Sequence, residues 1–189
     1  MPDETYQLIL RAGAGDREAF AGLFEQYKNL VYKTAYLMLD DTHEAEDALQ
    51  EVFMLLHRAL PDFDPRRAGL STWLHRITIN HCLNRRRGHR PVLVPLDEVS
   101  GGSEFPGARL AERDAVWQAV RRLSDKQQAV VVLRYYWELS YAELAQVLEI
   151  PLGTVKSRLD LAIRTLRKSL DEQEIRPGLL PDVEVKNEL

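Results

Sequence analysis

The chain has 189 residues, 45% of them hydrophobic and 29% charged, with a formal net charge of −4. That length can bury one large core or two small ones. No apolar run is long enough to span a bilayer, and Met1-Pro2-Asp3-Glu4 lacks the basic-then-apolar start of an export signal, so a cytoplasmic protein with no membrane insertion is expected. A single cysteine, Cys82, excludes an internal disulfide. His75 and His81 lie near it in sequence, but with no second thiolate and no ligand spacing the pattern predicts no metal site.

Apolar periodicity predicts an all-α fold. Residues from about Tyr6 to Arg87 read as helix broken by short turns. Asp16 caps a helix running to about Leu39, with Phe20, Leu23, Phe24, Tyr27, Leu30, Val31 and Leu37 facing inward. Asp41 with Glu44 forms a capping box opening a second helix, which buries Ala45, Ala48, Leu49, Val52, Phe53 and Leu56. A loop with Pro61, Pro65 and Gly69 follows. Ser71 is read as the cap of the next helix, through Trp73, Leu74, Ile77 and Leu83 to Arg87.

Residues 88–107 hold Pro91, Pro95, Gly101, Gly102, Ser103 and Pro106, a composition that disfavours helix and suits a flexible linker. Helical periodicity returns over 108–170. After a helix near Leu110 to Arg122, Ser124 with Gln127 caps another through Val130 to Leu133. Ser140 with Glu143 opens a short helix striped by Leu144, Val147 and Leu148. Pro151 forces a tight turn, and a final helix buries Val155, Leu159, Ala162, Ile163, Leu166 and Leu170. Residues 171–189 show no strong period and read as a mobile tail. The predicted organisation is therefore two small helical domains, 1–87 and 108–170, with a linker and a tail.

Three surfaces carry candidate chemistry. The last two helices have the layout of a helix-turn-helix, with Thr154, Lys156, Ser157 and Arg158 at the end that meets base edges in a major groove. On the helix ending at Arg87, Trp73, Arg76, Asn80, Asn84 and Arg87 recur every three or four residues. Amides can pair with exposed base edges and guanidinium groups can neutralise phosphates, while the preceding loop with Phe63, Asp64, Arg66 and Arg67 can receive a base turned out of a duplex. Core packing is the better reading of Trp73 itself. Asp47, Gln50, Glu51 and Met54 line one side of the second long helix, where they can dock a basic helical partner.

The net negative charge excludes a strong free-standing DNA binder, because duplex affinity rests on cations that displace counterions. Charge is segregated instead: Arg85, Arg86, Arg87 and Arg90 form a basic block, and Asp40, Asp41, Glu44, Glu46, Asp47 and Glu51 an acidic one. A subunit of a larger DNA-reading machine fits this pattern. No phosphate loop, nucleophile elbow or ligand spacing suggests a catalytic residue or a cofactor. A conventional helix-turn-helix regulator is the main competitor, and it predicts a dimer that binds DNA tightly alone.

Gly15-Asp16-Arg17-Glu18-Ala19-Phe20, Asp47 to Phe53, Ser71 to Asn80 and Ser140 to Leu159 resemble, in this order, the bacterial extracytoplasmic-function sigma factors. The resemblance implies a first domain that meets the beta-prime clamp helices of core RNA polymerase through Asp47, Gln50, Glu51 and Met54. It implies a minus-ten surface of Phe63, Arg66, Arg67, Arg76, Asn80, Asn84 and Arg87 that captures a flipped base and starts melting. The second domain would read the minus-thirty-five element with Thr154, Lys156, Ser157, Arg158, Asp160 and Leu161. Core polymerase, including its beta subunit, promoter DNA and an anti-sigma factor are the implied partners, with no cofactor. The chain departs from the family at Glu149, where many relatives place glycine, and at Asp160 and Leu161, near which an arginine is common.

Overall fold

The structure, a computed structural model, describes residues 2–63, 69–88 and 110–171. Among these, every regular element is helical: α1 (Pro2–Gly13), α2 (Arg17–Leu39), α3 (Thr42–Ala59), α4 (Leu70–Gly88), α5 (Leu110–Arg121), α6 (Asp125–Val131), α7 (Tyr141–Leu148) and α8 (Leu152–Asp171). A 3-10 turn, Leu60–Asp62, extends α3, and a π turn, Val132–Tyr136, extends α6. The predicted linker beyond Gly88 and the predicted tail beyond Asp171 lie outside the described residues, as do Asp64, Arg66 and Arg67.

Side-chain caps set where the helices begin. The Asp16 carboxylate accepts from the N–H groups of Glu18 and Ala19 at 3.0 and 3.1 Å, and Asp41 accepts from Glu44 N–H at 2.8 Å. Each satisfies donors that a helix start leaves without intrahelical partners. The predicted reciprocal half of the Asp41 box is diverted, because the Glu44 carboxylate accepts from Arg85. Ser124 N–H and Ser140 N–H do receive their Gln127 and Glu143 side chains, at 3.1 and 2.8 Å. Ser71 is not the cap of α4. That helix starts at Leu70, two residues before a Ser71 cap would start it, with Trp73 N–H bonded to Gly69 C=O at 3.1 Å, and Ser71 sits exposed in its first turn.

Two buried clusters hold the molecule. One belongs to the amino-terminal half alone, joining Ile9 of α1, Leu23 and Val31 of α2, Val52, Phe53 and Leu56 of α3 and Leu74 of α4. Phe24 and Phe53 pack edge to face there, with ring centroids 4.7 Å apart. The other cluster crosses between the halves: Ala35, Leu37 and Met38 of α2, Ala45 and Ala48 of α3 and Ile79 and Cys82 of α4 are continuous with Val130, Leu133, Leu144, Val155, Leu159 and Leu166. The two helical units are thus packed on one another through a shared apolar seam.

Among the described residues, one buried amide and three ion pairs cross the seam. The Gln128 side chain is 0% exposed; its Nε2 donates to Leu37 C=O at 2.7 Å and its Oε1 accepts from Arg86 at 2.6 Å. Leaving such a buried amide unpaired costs about 1–3 kcal/mol. Arg86 also reaches Asp125 at 2.8 Å, Arg121 pairs with Asp40, and Arg76 pairs with Glu149 at 2.8 Å. The π turn carries Trp137 to the His75 ring, with centroids 5.1 Å apart.

Candidate nucleic-acid and partner interfaces

The turn between α7 and α8 is made by Glu149–Pro151. Glu149 takes a left-handed conformation, φ 52° and ψ 44°, and its N–H closes α7 on Ala145 C=O. Glycine adopts such a backbone without penalty, whereas a side chain is strained there by roughly 1 kcal/mol. The departure at Glu149 therefore keeps a left-handed turn at an energetic cost. Pro151 C=O accepts from Thr154 and Val155 N–H at 2.8 and 3.1 Å, which starts α8.

On α8, Val155, Leu159, Ala162, Ile163, Leu166 and Leu170 are all buried, the apolar set read from periodicity. Lys156, Ser157, Asp160 and Leu161 stand exposed, and Thr154 and Arg158 are half-buried. Asp160 pairs with Arg164 one turn further on. That partner offsets the repulsion a lone carboxylate would meet beside phosphates. Leu161 is 53% exposed, an apolar contact aimed outward among polar groups.

On α4, Asn80, Asn84 and Arg87 are exposed along one side, while Arg76 is half-buried by its pairing with Glu149. Trp73 packs on the amino-terminal core, as read, with Phe63 edge-on to it at 5.9 Å. Phe63 thus sits half-buried at the head of the stripe. Asn80, Asn84 and Arg87 share one exposed side of α4, and Arg76, one turn before Asn80, is engaged by Glu149 at the seam.

On α3, Asp47, Gln50, Glu51 and Met54 are all exposed, Met54 by 53%, and Leu55 adds a neighbouring exposed apolar side chain. The acidic face is not bare, however. The Arg85 guanidinium, reaching over from α4, bonds Glu44, Asp47 at 2.9 Å and Glu51 at 3.3 Å. Hydrogen bonding to these carboxylates favours the charged guanidinium, Glu44 most strongly. Sequence reading placed Arg85 in a basic block apart from the acids. The fold lays the end of α4 along α3, and the two blocks partly neutralise each other. A run of like charges in sequence carries no signal for such pairing.

Two titratable groups on α4 are inert for reasons of burial. The Cys82 thiol is pushed up to about 12 by desolvation, which suppresses its reactive thiolate. His75 is pushed down to about 4, again chiefly by burial. No group of His, Cys, Asp and Glu side chains among the described residues is arranged to hold a metal ion.

Known proteins place this architecture. Residues 23–92 match the family model described as Sigma-70 region 2, and residues 113–166 the one described as Sigma-70, region 4. The ECF RNA polymerase sigma factor SigW of Bacillus subtilis (strain 168) is 37% identical over 86% of this chain and 94% of its own. This chain belongs to the ECF sigma factors. SigM of Mycobacterium tuberculosis, another ECF RNA polymerase sigma factor, is 35% identical over 87% of the chain and 83% of its own. RNA polymerase sigma-H factor of Pseudomonas aeruginosa is 31% identical over 89% and 94%.

Two solved structures share the fold of this ECF sigma factor. CnrH, in complex with the cytosolic domain of CnrY, superposes with a TM-score of 0.68 at 24% identity, covering 89% of this chain and 98% of its own. The sigma factor RpoE of Bartonella quintana, in complex with the anti-sigma factor NepR, gives 0.66 at 20% identity, covering 80% and 96%. No described helix is long and apolar enough to cross a membrane.

Proposed function

We propose that this ECF sigma factor binds core RNA polymerase, selects promoters by their minus-ten and minus-thirty-five elements, and promotes melting without catalysing a reaction itself. The observation that carries this reading is that a member of this family presents Asp47, Gln50, Glu51 and Met54 of α3, Asn80, Asn84 and Arg87 of α4, and Lys156, Ser157, Asp160 and Leu161 of α8 on exposed faces. In this account residues 1–87 form the polymerase-binding and minus-ten unit, and residues 108–170 the minus-thirty-five unit.

Asp47, Gln50, Glu51 and Met54 meet the beta-prime clamp helices, with Arg85 holding the carboxylates in place. The beta subunit of core polymerase is a further partner. Asn80, Asn84 and Arg87, with Phe63, Arg66, Arg67 and Arg76, receive the unstacked minus-ten strand. Capturing a base in its flipped state pulls the duplex toward opening, so binding energy alone drives melting. Thr154, Lys156, Ser157, Arg158, Asp160 and Leu161 read the upstream element in the major groove.

Control by an anti-sigma factor fits the same reading, since both solved neighbours are complexes, RpoE with a named anti-sigma factor and CnrH with the cytosolic domain of CnrY. The work of such a subunit belongs in the cytoplasm. Co-elution with sigma-free core polymerase tests the proposal. The native chain should co-elute, and Met54→Glu should weaken association by at least about tenfold while leaving helix content unchanged. Specific DNA binding with no polymerase association would favour a conventional regulator instead.

A further inference from the structure

We propose that Asp160 and Leu161 set the base preference of the upstream element, Asp160 selecting a cytosine and rejecting guanine, and Leu161 selecting a thymine beside it. The inference rests on the function proposed above and names the sequence that its second unit reads.

The outward face of α8 is fixed by its buried one. Val155, Leu159, Ala162, Ile163 and Leu166 are all packed into the core. At about 3.6 residues per turn, the side opposite them carries Ser157, Asp160, Leu161 and Arg164, spaced i, i+3, i+4 and i+7. All four are exposed. Lys156 and half-buried Arg158 stand on the shoulders of this stripe, where a helix lying in a groove meets phosphates rather than base edges.

The chemistry of the stripe is one-sided. The Ser157 hydroxyl donates its single proton to Thr154 C=O at 3.1 Å, which leaves it only lone pairs for a further partner. The Asp160 carboxylate accepts and does not donate. Arg164 donates to its Oδ2 from the next turn, so the carboxylate is held in place with Oδ1 left for a ligand. Leu161, 53% exposed, neither donates nor accepts. Arg164 is thus a positioning residue for Asp160, and the centre of the face offers acceptors and an apolar surface.

Base edges sort against such a face. In the major groove cytosine presents its N4 amino donor, guanine presents the N7 and O6 acceptors, and adenine sets an N7 acceptor beside its amino donor. A carboxylate therefore accepts from cytosine, meets an opposing lone pair at adenine and is repelled by guanine. Thymine presents a methyl group, and covering it with leucine removes apolar surface of both from water. Asp160 and Leu161 are consecutive, so the two preferences should fall on neighbouring base pairs.

The test is selection by core polymerase reconstituted with the full chain, from a promoter that it transcribes whose upstream element has been randomised, with recovered sequences counted. For the native chain one position should be dominated by cytosine, with thymine beside it. Asp160→Arg should convert that cytosine to guanine, because a guanidinium pairs bidentately with O6 and N7, and Asp160→Ala should lower the cytosine preference at least about fivefold. Leu161→Ala should flatten the thymine preference and leave the cytosine. Both side chains are exposed, so the variants should retain their helix content. An upstream element enriched by the native chain but identical for every variant would overturn the assignment and leave the sigma reading standing. A native guanine at the position that Asp160→Arg alters would overturn it as well. No promoter transcribed, or no upstream element enriched, would refute both.

Discussion

Asn80 projects from α4 between Arg76 and Asn84, and its exposed amide makes no contribution to either core. Asn80→Ala should change stability by less than about 0.5 kcal/mol. Open-complex formation should fall at least about tenfold while polymerase affinity holds, measured by permanganate footprinting beside co-elution; equal loss of both would mean that Asn80 has another role. Lys156, exposed on α8, should behave as a phosphate contact. Lys156→Ala should lower the salt slope of holoenzyme binding to minus-thirty-five promoters by about 1, and an unchanged slope would remove it from the interface. His75 acts on stability rather than recognition. Burial holds it at about 4 in the folded chain, below the usual 6.5 of a histidine, so the unfolded chain takes up the proton first as pH falls. The full contribution of the neutral ring is present above 6.5 and is lost progressively from there down to about 4, a change of about 3 kcal/mol. Urea midpoints across that window should decline steeply, and His75→Phe, which preserves the edge contact with Trp137, should flatten the decline.

At the scale of the element, Glu149 links local strain to the contact between halves. Glu149→Gly relieves the left-handed backbone by about 0.5–1 kcal/mol and deletes the largely exposed pair with Arg76. Surface pairs contribute about 0–1 kcal/mol, so the two effects should nearly cancel in the native chain. In an Arg76→Gln background only the gain should remain, visible as a raised melting temperature. A loss there would show that the turn depends on the glutamate side chain. The caps and the core stripe of α8 were legible in sequence because each is decided within one or two helical turns. Ser140 with Glu143, Ser124 with Gln127 and Asp16 all behave as local chemistry requires. The seam was not legible. Gln128 and Leu37 are 91 positions apart, and Thr34, Ala35 and Met38, buried on α2, are weak or irregular signals in an apolar pattern. Of the residues read as faces on α3, α4 and α8, all are exposed except Trp73, Arg76, Thr154 and Arg158, which are half-buried. What that reading missed was occupancy: Arg85 over the acids and Glu149 on Arg76 both come from segments distant in sequence.

The whole molecule combines a net charge of −4 with the two small reading faces proposed on α4 and α8. The basic residues Arg76, Arg85 and Arg86 are each paired within the chain, which leaves them less available to phosphates. Promoter affinity therefore belongs to the assembly, where two weak readers on one particle multiply through effective concentration. The most direct measurement is transcription from fragmented genomic DNA by core polymerase with and without the purified protein, followed by mapping of transcript starts. The account predicts a set of starts that appear only with the protein and share sequence elements centred near minus ten and minus thirty-five. Starts that do not depend on the protein, or dependent starts with no common upstream elements, would contradict it.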